Sequence, residues 1–183
     1  MRHSFRSRLL CTCVAAALAL VCRGLAADVP SEARLKAAFV YRFAQFVEWP
    51  DHALARRDAV DVCVLEPNPF EDVLHTLVEG ESIGRLPLRV RAVSTPASAS
   101  ACHVLFLPEQ SAAREATLRA VASLPVLTVS DAPRFLESGG IIQVGVAGGN
   151  MRFAVNLDAA RASRLRLSAQ LLRLAISVRG GGQ

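Results

Sequence analysis

"ACHVLFLPEQSAAREATLRAVASLPVLTVSD", Ala101 to Asp131, sets two short apolar runs on either side of an Ala- and Arg-rich stretch. The runs ACHVLFLP and LPVLTVSD have the length and near-continuous apolarity of strands buried on both faces. Ser111 to Leu124, between them, is a helix candidate. Strand, helix and strand in this order make a βαβ unit, whose two strands lie parallel in one sheet.

The same alternation continues outward. Upstream, AVDVCVLEP is a β-rich run ending at Pro67, and NPFEDVLHTLVEG follows as a helix candidate, with Asn68 placed to cap and Pro69 in the first turn. LPLRVRAV then alternates apolar and basic residues, as a half-exposed strand does. Downstream, a short helix is expected near Pro133 to Glu137. GGIIQVGVAGGNMRFAVNL reads as two strands joined by a glycine-rich turn, and helical segments close the chain from Asp158 to Val178. The expected fold is α/β: a single compact domain with a mixed β-sheet flanked by helices.

KAAFVYRFAQFVEWPD, Lys36 to Asp51, carries three of the chain's eight phenylalanines and its only tryptophan. A helix is expected over Ser31 to Glu48, ended by Pro50, which disfavours helical geometry in the residue before it. Leu35, Phe39, Phe43, Phe46 and Val47 fall within an arc of about 80° and are expected to face the core. Tyr41 points away from that stripe and Trp49 sits past the helix end. These two are the aromatic candidates for a contact surface, with burial the competing fate of Trp49.

The first twenty-six residues read as a leader. Arg2, Arg6 and Arg8 precede the apolar run Leu9 to Val21, which is short for a membrane span, and Gly24-Leu25-Ala26 offers a cleavage site after Ala26. Residues 27–183 would then be the exported domain. The leader holds four of the twenty-one basic residues and no acidic one, so seventeen bases face sixteen acids in the remainder. A nearly neutral domain excludes nucleic acid as an expected partner. Three of the five cysteines also lie in the leader, leaving Cys63 and Cys102. In an oxidising compartment these two are expected to form a disulfide, with two buried free thiols as the alternative.

Few residues suggest chemistry. His52, His75 and His103 fall in a loop, a helix and a strand without ligand spacing, and GVAGGN lacks the Lys and Ser/Thr of a phosphate loop. Asp131 follows a strand, where α/β sheets present ligand groups, but Ser130 and Asp131 equally suit a helix cap. No catalytic residue, metal or cofactor is expected. From Asp158 to Gln183 there are five arginines and one acid. Arg161, Arg164 and Arg166 are therefore candidates for contact with an acidic partner, against the alternative of a solvated helix face. Leu165, Leu167, Leu171, Leu172, Ala175, Ile176 and Val178 surround more than one face of that segment, so another subunit or partner is expected to cover part of it.

The blocks KAAFVYRFAQFVEWP, VCVLEPNPF, GRLPLRVRAV, CHVLFLP, PVLTVSD, GGIIQV and RFAVNLDAARASRLRLSAQLLRLA resemble, in order, the YfiR family of exported bacterial proteins, over about Arg34 to Ile176. The resemblance implies a non-enzymatic periplasmic regulator with a compact α/β fold that tends to dimerise. It implies that Cys63 and Cys102 occupy the family's main disulfide positions. A second disulfide carried by some members has no counterpart here.

The function expected from the resemblance is inhibition of a membrane-anchored diguanylate cyclase. The protein would bind the cyclase's periplasmic sensor region, lowering cyclic di-GMP and biofilm formation, with an outer-membrane lipoprotein able to sequester it. The alternative is a periplasmic small-ligand-binding module acting with a histidine kinase or transporter. A third reading, an exported hydrolase, would rest on Asp131 or His103.

Overall fold

Six consecutive residues of β2 (Val60–Leu65) are buried, which is the signature of a strand covered on both faces. In the computed structural model, which describes residues 32–70 and 72–181, β2 lies inside an eight-stranded mixed sheet. The expected leader and its cleavage site lie outside the described residues.

The sheet runs β10-β8-β7-β6-β5-β2-β4-β3. Its members are β3 (Ser82–Ile83), β4 (Leu86–Val93), β5 (Val104–Phe106), β6 (Leu127–Ser130), β7 (Ile142–Ala147), β8 (Asn150–Asn156) and β10 (Ser177–Arg179). The five strands from β4 to β7 are parallel, as the βαβ reading requires. The antiparallel β7–β8 pair is joined by Gly148 and Gly149, both at positive φ, the backbone that a two-residue hairpin turn of type I′ demands. The mixed α/β architecture is the expected one.

Alternation along the strands divides the core into two layers. Val62 and Val64 face a cluster with Val40, Phe43 and Phe70, contributed by α1 (Glu32–Phe43) and the approach to α3 (Val73–Val78). Cys63 and Leu65 face the opposite cluster with Ala99, Leu118 and Val121, from α4 (Pro96–Ala99) and α5 (Arg114–Val121). Cys63 and Cys102 are disulfide-bonded in this second layer, their Cα atoms 5.9 Å apart. The short α2 (Asp51–Leu54) leads into β2, and α6 (Leu157–Ala162) and α7 (Ala169–Leu174) follow the hairpin.

Four local expectations change. The first helix ends at Phe43, and a 3₁₀ turn (Ala44–Phe46) leads into β1 (Val47–Glu48). The helix stops early because Val47 and Glu48 pair antiparallel with β9 (Arg166–Leu167), which satisfies their backbone as strand. The buried residues of α1 are Ala37, Val40, Tyr41 and Phe43, continued by Ala44, so the buried face takes in only part of the expected Phe-rich stripe. Small residues at this spacing let the helix lie close against the sheet. Phe43 and Val47 are buried, whereas Leu35, Phe39 and Phe46 are only partly covered. Pro133 to Glu137 forms turns rather than a helix, and β9 and β10 interrupt the closing helical run.

Candidate functional site

Partly covered Phe39 of α1 and Phe46 of the 3₁₀ turn line an apolar concavity. Ala38, Phe39, Arg42, Phe43 and Phe46 form one wall, and Phe153 of β8 with Leu171 and Leu174 of α7 forms the other, enclosing about 290 Å³. Phe43 anchors it through edge-to-face contacts with Phe39 at 6.0 Å and Phe153 at 5.1 Å. From this groove an apolar stripe continues outward: Leu174 is 64% exposed, Ile176 63% and Val178 40%. Three large aliphatic side chains standing in water on five residues of chain make a patch of the kind that marks an interaction surface.

The groove brings the two ends of the fold together. The Ser168 N–H donates to the Phe46 carbonyl at 2.9 Å, Glu48 pairs with Arg166 across β1 and β9, and their side chains lie 3.5 Å apart. Ser168 also caps α7 by accepting the Leu171 N–H, which fixes the helix that carries Leu171 and Leu174.

The sequence-predicted candidates divide. Arg161 is exposed and lies 3.4 Å from Asp158. Exposed Arg166 stands on β9, next to the groove wall. Arg164 is exposed at the end of α6, where it donates to the Ser123 carbonyl at 3.3 Å. The expected exposure of Tyr41 is overturned: its ring is 4% exposed, because the residues three and four places on from Ala37 form the buried face. Trp49 is buried edge-to-face against His103, the ring centroids 6.4 Å apart, and its Nε1 has no hydrogen-bond partner among the described residues.

His103 and Asp131 serve the fold. The Asp61 N–H donates to His103 Nδ1 at 2.9 Å, so the ring proton is on Nε2, 3.3 Å from the Ala53 carbonyl. Burial pushes the imidazole pKa down, the bond to Ala53 opposes this, and the Arg57 charge adds to the fall. Asp131 accepts from Lys36 at 2.8 Å and from the Glu109 N–H at 2.9 Å, tying α1 and the loop after β5 to the end of β6. Burial lowers the Lys36 pKa, but hydrogen bonds and charge from Asp131 and Glu32 outweigh it and the net shift is upward. His103 precedes β5 and Asp131 follows the parallel β6, so they occupy opposite ends of the sheet.

Beyond the carboxyl end of β2, the Ser111 hydroxyl donates to the Glu66 carbonyl at 2.6 Å. Among the described residues no cluster of His, Cys, Asp or Glu is placed to hold a metal ion, and no helix is long and apolar enough to cross a membrane.

The YfiR/HmsC-like family model matches residues 33–176. This chain belongs to the YfiR/HmsC-like family. The family is one of periplasmic regulatory proteins. The match takes in nearly all of α1, the groove residues, α7 and Ile176, and ends before Val178. Among solved structures, a conserved domain protein of Vibrio cholerae O1 biovar El Tor is similar at 12% identity and a TM-score of 0.49, over 70% of this chain. An ABC domain of Streptococcus pneumoniae, crystallised with L-Trp, is similar at 10% identity and a TM-score of 0.50, over 78% of this chain. The YfiR/HmsC-like chain spans 57% and 60% of those two chains. At such identity the second likeness concerns the fold alone.

Proposed function

We propose that this protein binds the periplasmic sensor region of an inner-membrane diguanylate cyclase and holds the cyclase in an inactive arrangement. The observation that carries the reading is the apolar groove between α1 and α7, with Leu174, Ile176 and Val178 exposed beside it. The occupant is an apolar, helical segment of the sensor. Its bulky side chains enter between Phe39, Phe46 and Leu174, while exposed Arg161 and Arg166 meet acidic residues of the partner.

Inhibition then follows from differential affinity. A protein that binds the inactive arrangement about a hundredfold more tightly than the active one shifts the balance by about 2.7 kcal/mol. Cyclic di-GMP falls, and biofilm formation with it. An outer-membrane lipoprotein relieves the block by covering the same face, and a second copy of this chain competes for it in a homodimer.

The test is genetic and structural together. Deleting the gene in a strain that retains the cyclase should raise cyclic di-GMP, and the wild-type gene should restore it. The double variant Leu174→Asp/Ile176→Asp should accumulate and melt like wild type yet fail to restore. Unchanged cyclic di-GMP after deletion, with the cyclase present, would sink the proposal.

A further inference from the structure

A second concavity lies at the opposite end of β5 and β6 from Asp131, beside the disulfide. It encloses about 310 Å³, and its lining includes His52, Arg57, Ser100, His103 and Arg164, with Leu124 and Val126 giving it an apolar side. Among the described residues no carboxylate lines it. His103 is neutral there, since its Nδ1 accepts the Asp61 amide. The cleft therefore holds two guanidinium charges without a compensating acid in its wall.

Neither guanidinium is consumed elsewhere by an ion pair. Arg89, Arg119, Arg134, Arg161 and Arg166 all reach carboxylates. Arg57 makes no side-chain hydrogen bond or ion pair among the described residues, and Arg164 meets only the Ser123 carbonyl. Unpaired arginines converging on one cleft are a recognition element for carboxylate and phosphate groups, whose oxygens match the fork of N–H donors.

The backbone at Arg164 supplies an independent observation. The Leu165 N–H donates to Ala160 O at 2.9 Å and the Arg164 N–H to Arg161 O at 2.8 Å, so α6 ends in a Schellman motif with Arg164 at the left-handed position, φ 57°. Glycine is the ordinary residue there, because a side chain at positive φ costs stability. Here a large cationic side chain stands in that place and is directed over the cleft. Such an outlier points to a use for the side chain beyond folding.

We infer that this cleft binds a small soluble oxyanion, a carboxylate or phosphate carried on a compact apolar body, held by Arg57 and Arg164. The volume lies at the lower end of the range for small-molecule sites, which limits the ligand to a compact one. This site is separate from the groove between α1 and α7 and does not depend on the identity of the protein partner.

Isothermal titration of the exported chain with phenyl phosphate, benzoate and neutral benzyl alcohol tests it. At least one anion should bind saturably at one site, and benzyl alcohol should not. Arg57→Gln and Arg164→Gly should each weaken anion binding by about tenfold or more, the loss of one charge-assisted contact. Arg164→Gly should melt at or above the wild-type temperature, which separates binding from folding. Unchanged affinity in both variants, or saturable binding of benzyl alcohol alone, overturns the inference. Absence of anion binding up to about millimolar concentration overturns it too. So does arginine-dependent co-sedimentation with phosphatidylglycerol vesicles without binding of either soluble anion, which would assign the cleft to a lipid headgroup.

Discussion

Asp61 is a carboxylate, 1% exposed, inside the central strand β2. Its cross-strand neighbour Arg89 donates through Nε at 2.7 Å and Nη2 at 3.3 Å, and Arg91 lies 3.8 Å away. Asp61 and the exposed Asp58 both hold the Arg89 guanidinium more firmly protonated, and Arg89 in turn depresses the Asp58 pKa. Arg89→Ala should lower the midpoint of urea unfolding, because it leaves the buried Asp61 carboxylate with only Arg91, 3.8 Å away. His103 gives a pH signature. Unfolded, its imidazole takes a proton near pH 6.5, and folded only at lower pH, because burial disfavours the charge. The sign is therefore a loss of stability as pH falls below about 6.5, with nothing lost above it. His103→Gln should show a smaller drop in Tm between about pH 7.5 and about pH 5.5 than wild type. The alternation of LPLRVRAV already placed Arg89 and Arg91 on one face of a strand, but their partner was invisible. Asp61 is adjacent only through the β2–β4 register.

At the scale of elements, α1 is the instructive case. Its period was legible and its orientation was not. The Phe stripe has the larger hydrophobicity, yet Ala37, Val40, Tyr41 and Ala44 are buried with Phe43, while Phe39 and Phe46 are only partly covered. A helix laid on a sheet gains from close approach as well as from apolar bulk, and no single-helix projection contains that distance. Leu174→Asp follows from the same geometry: the side chain is already in water, so unfolding free energy should stay within about 0.5 kcal/mol of wild type while the proposed repression of the cyclase should be lost. The turns after β6 make a contrasting prediction. A methyl group at Gly140 would run into the buried ring of Phe135, so Gly140→Ala should destabilise by about 1–3 kcal/mol in chemical denaturation. The sequence reading put a helix at Pro133 to Glu137. Instead, Gly140 N–H bonds back to Phe135 O, and the Phe135 N–H donates to Gln143.

For the whole molecule, the Cys63–Cys102 bond joins β2 to the entrance of β5 across a separation of 39 residues. Closing that loop stabilises the fold by about 4 kcal/mol in the chain-entropy model. The double variant Cys63→Ser/Cys102→Ser should lose that and more, since both sites belong to the buried second layer, and a scan of Tm with and without reductant checks it. The βαβ order, the late hairpin and the cysteine pair follow from sequence because they depend on local periodicity, turn chemistry and counting. The groove and the cleft do not. The groove needs residues 38–46 beside residues 153–174, and the cleft needs Arg57 beside Arg164. Strand pairing across more than a hundred residues, β1 with β9, makes the first juxtaposition, and the path of the chain past the ends of β5 and β6 makes the second. Sequence alone determined which segments fold and what each prefers. Only the tertiary structure decided which of their apolar and cationic side chains remained unpartnered, because that depends on what the rest of the chain has already covered.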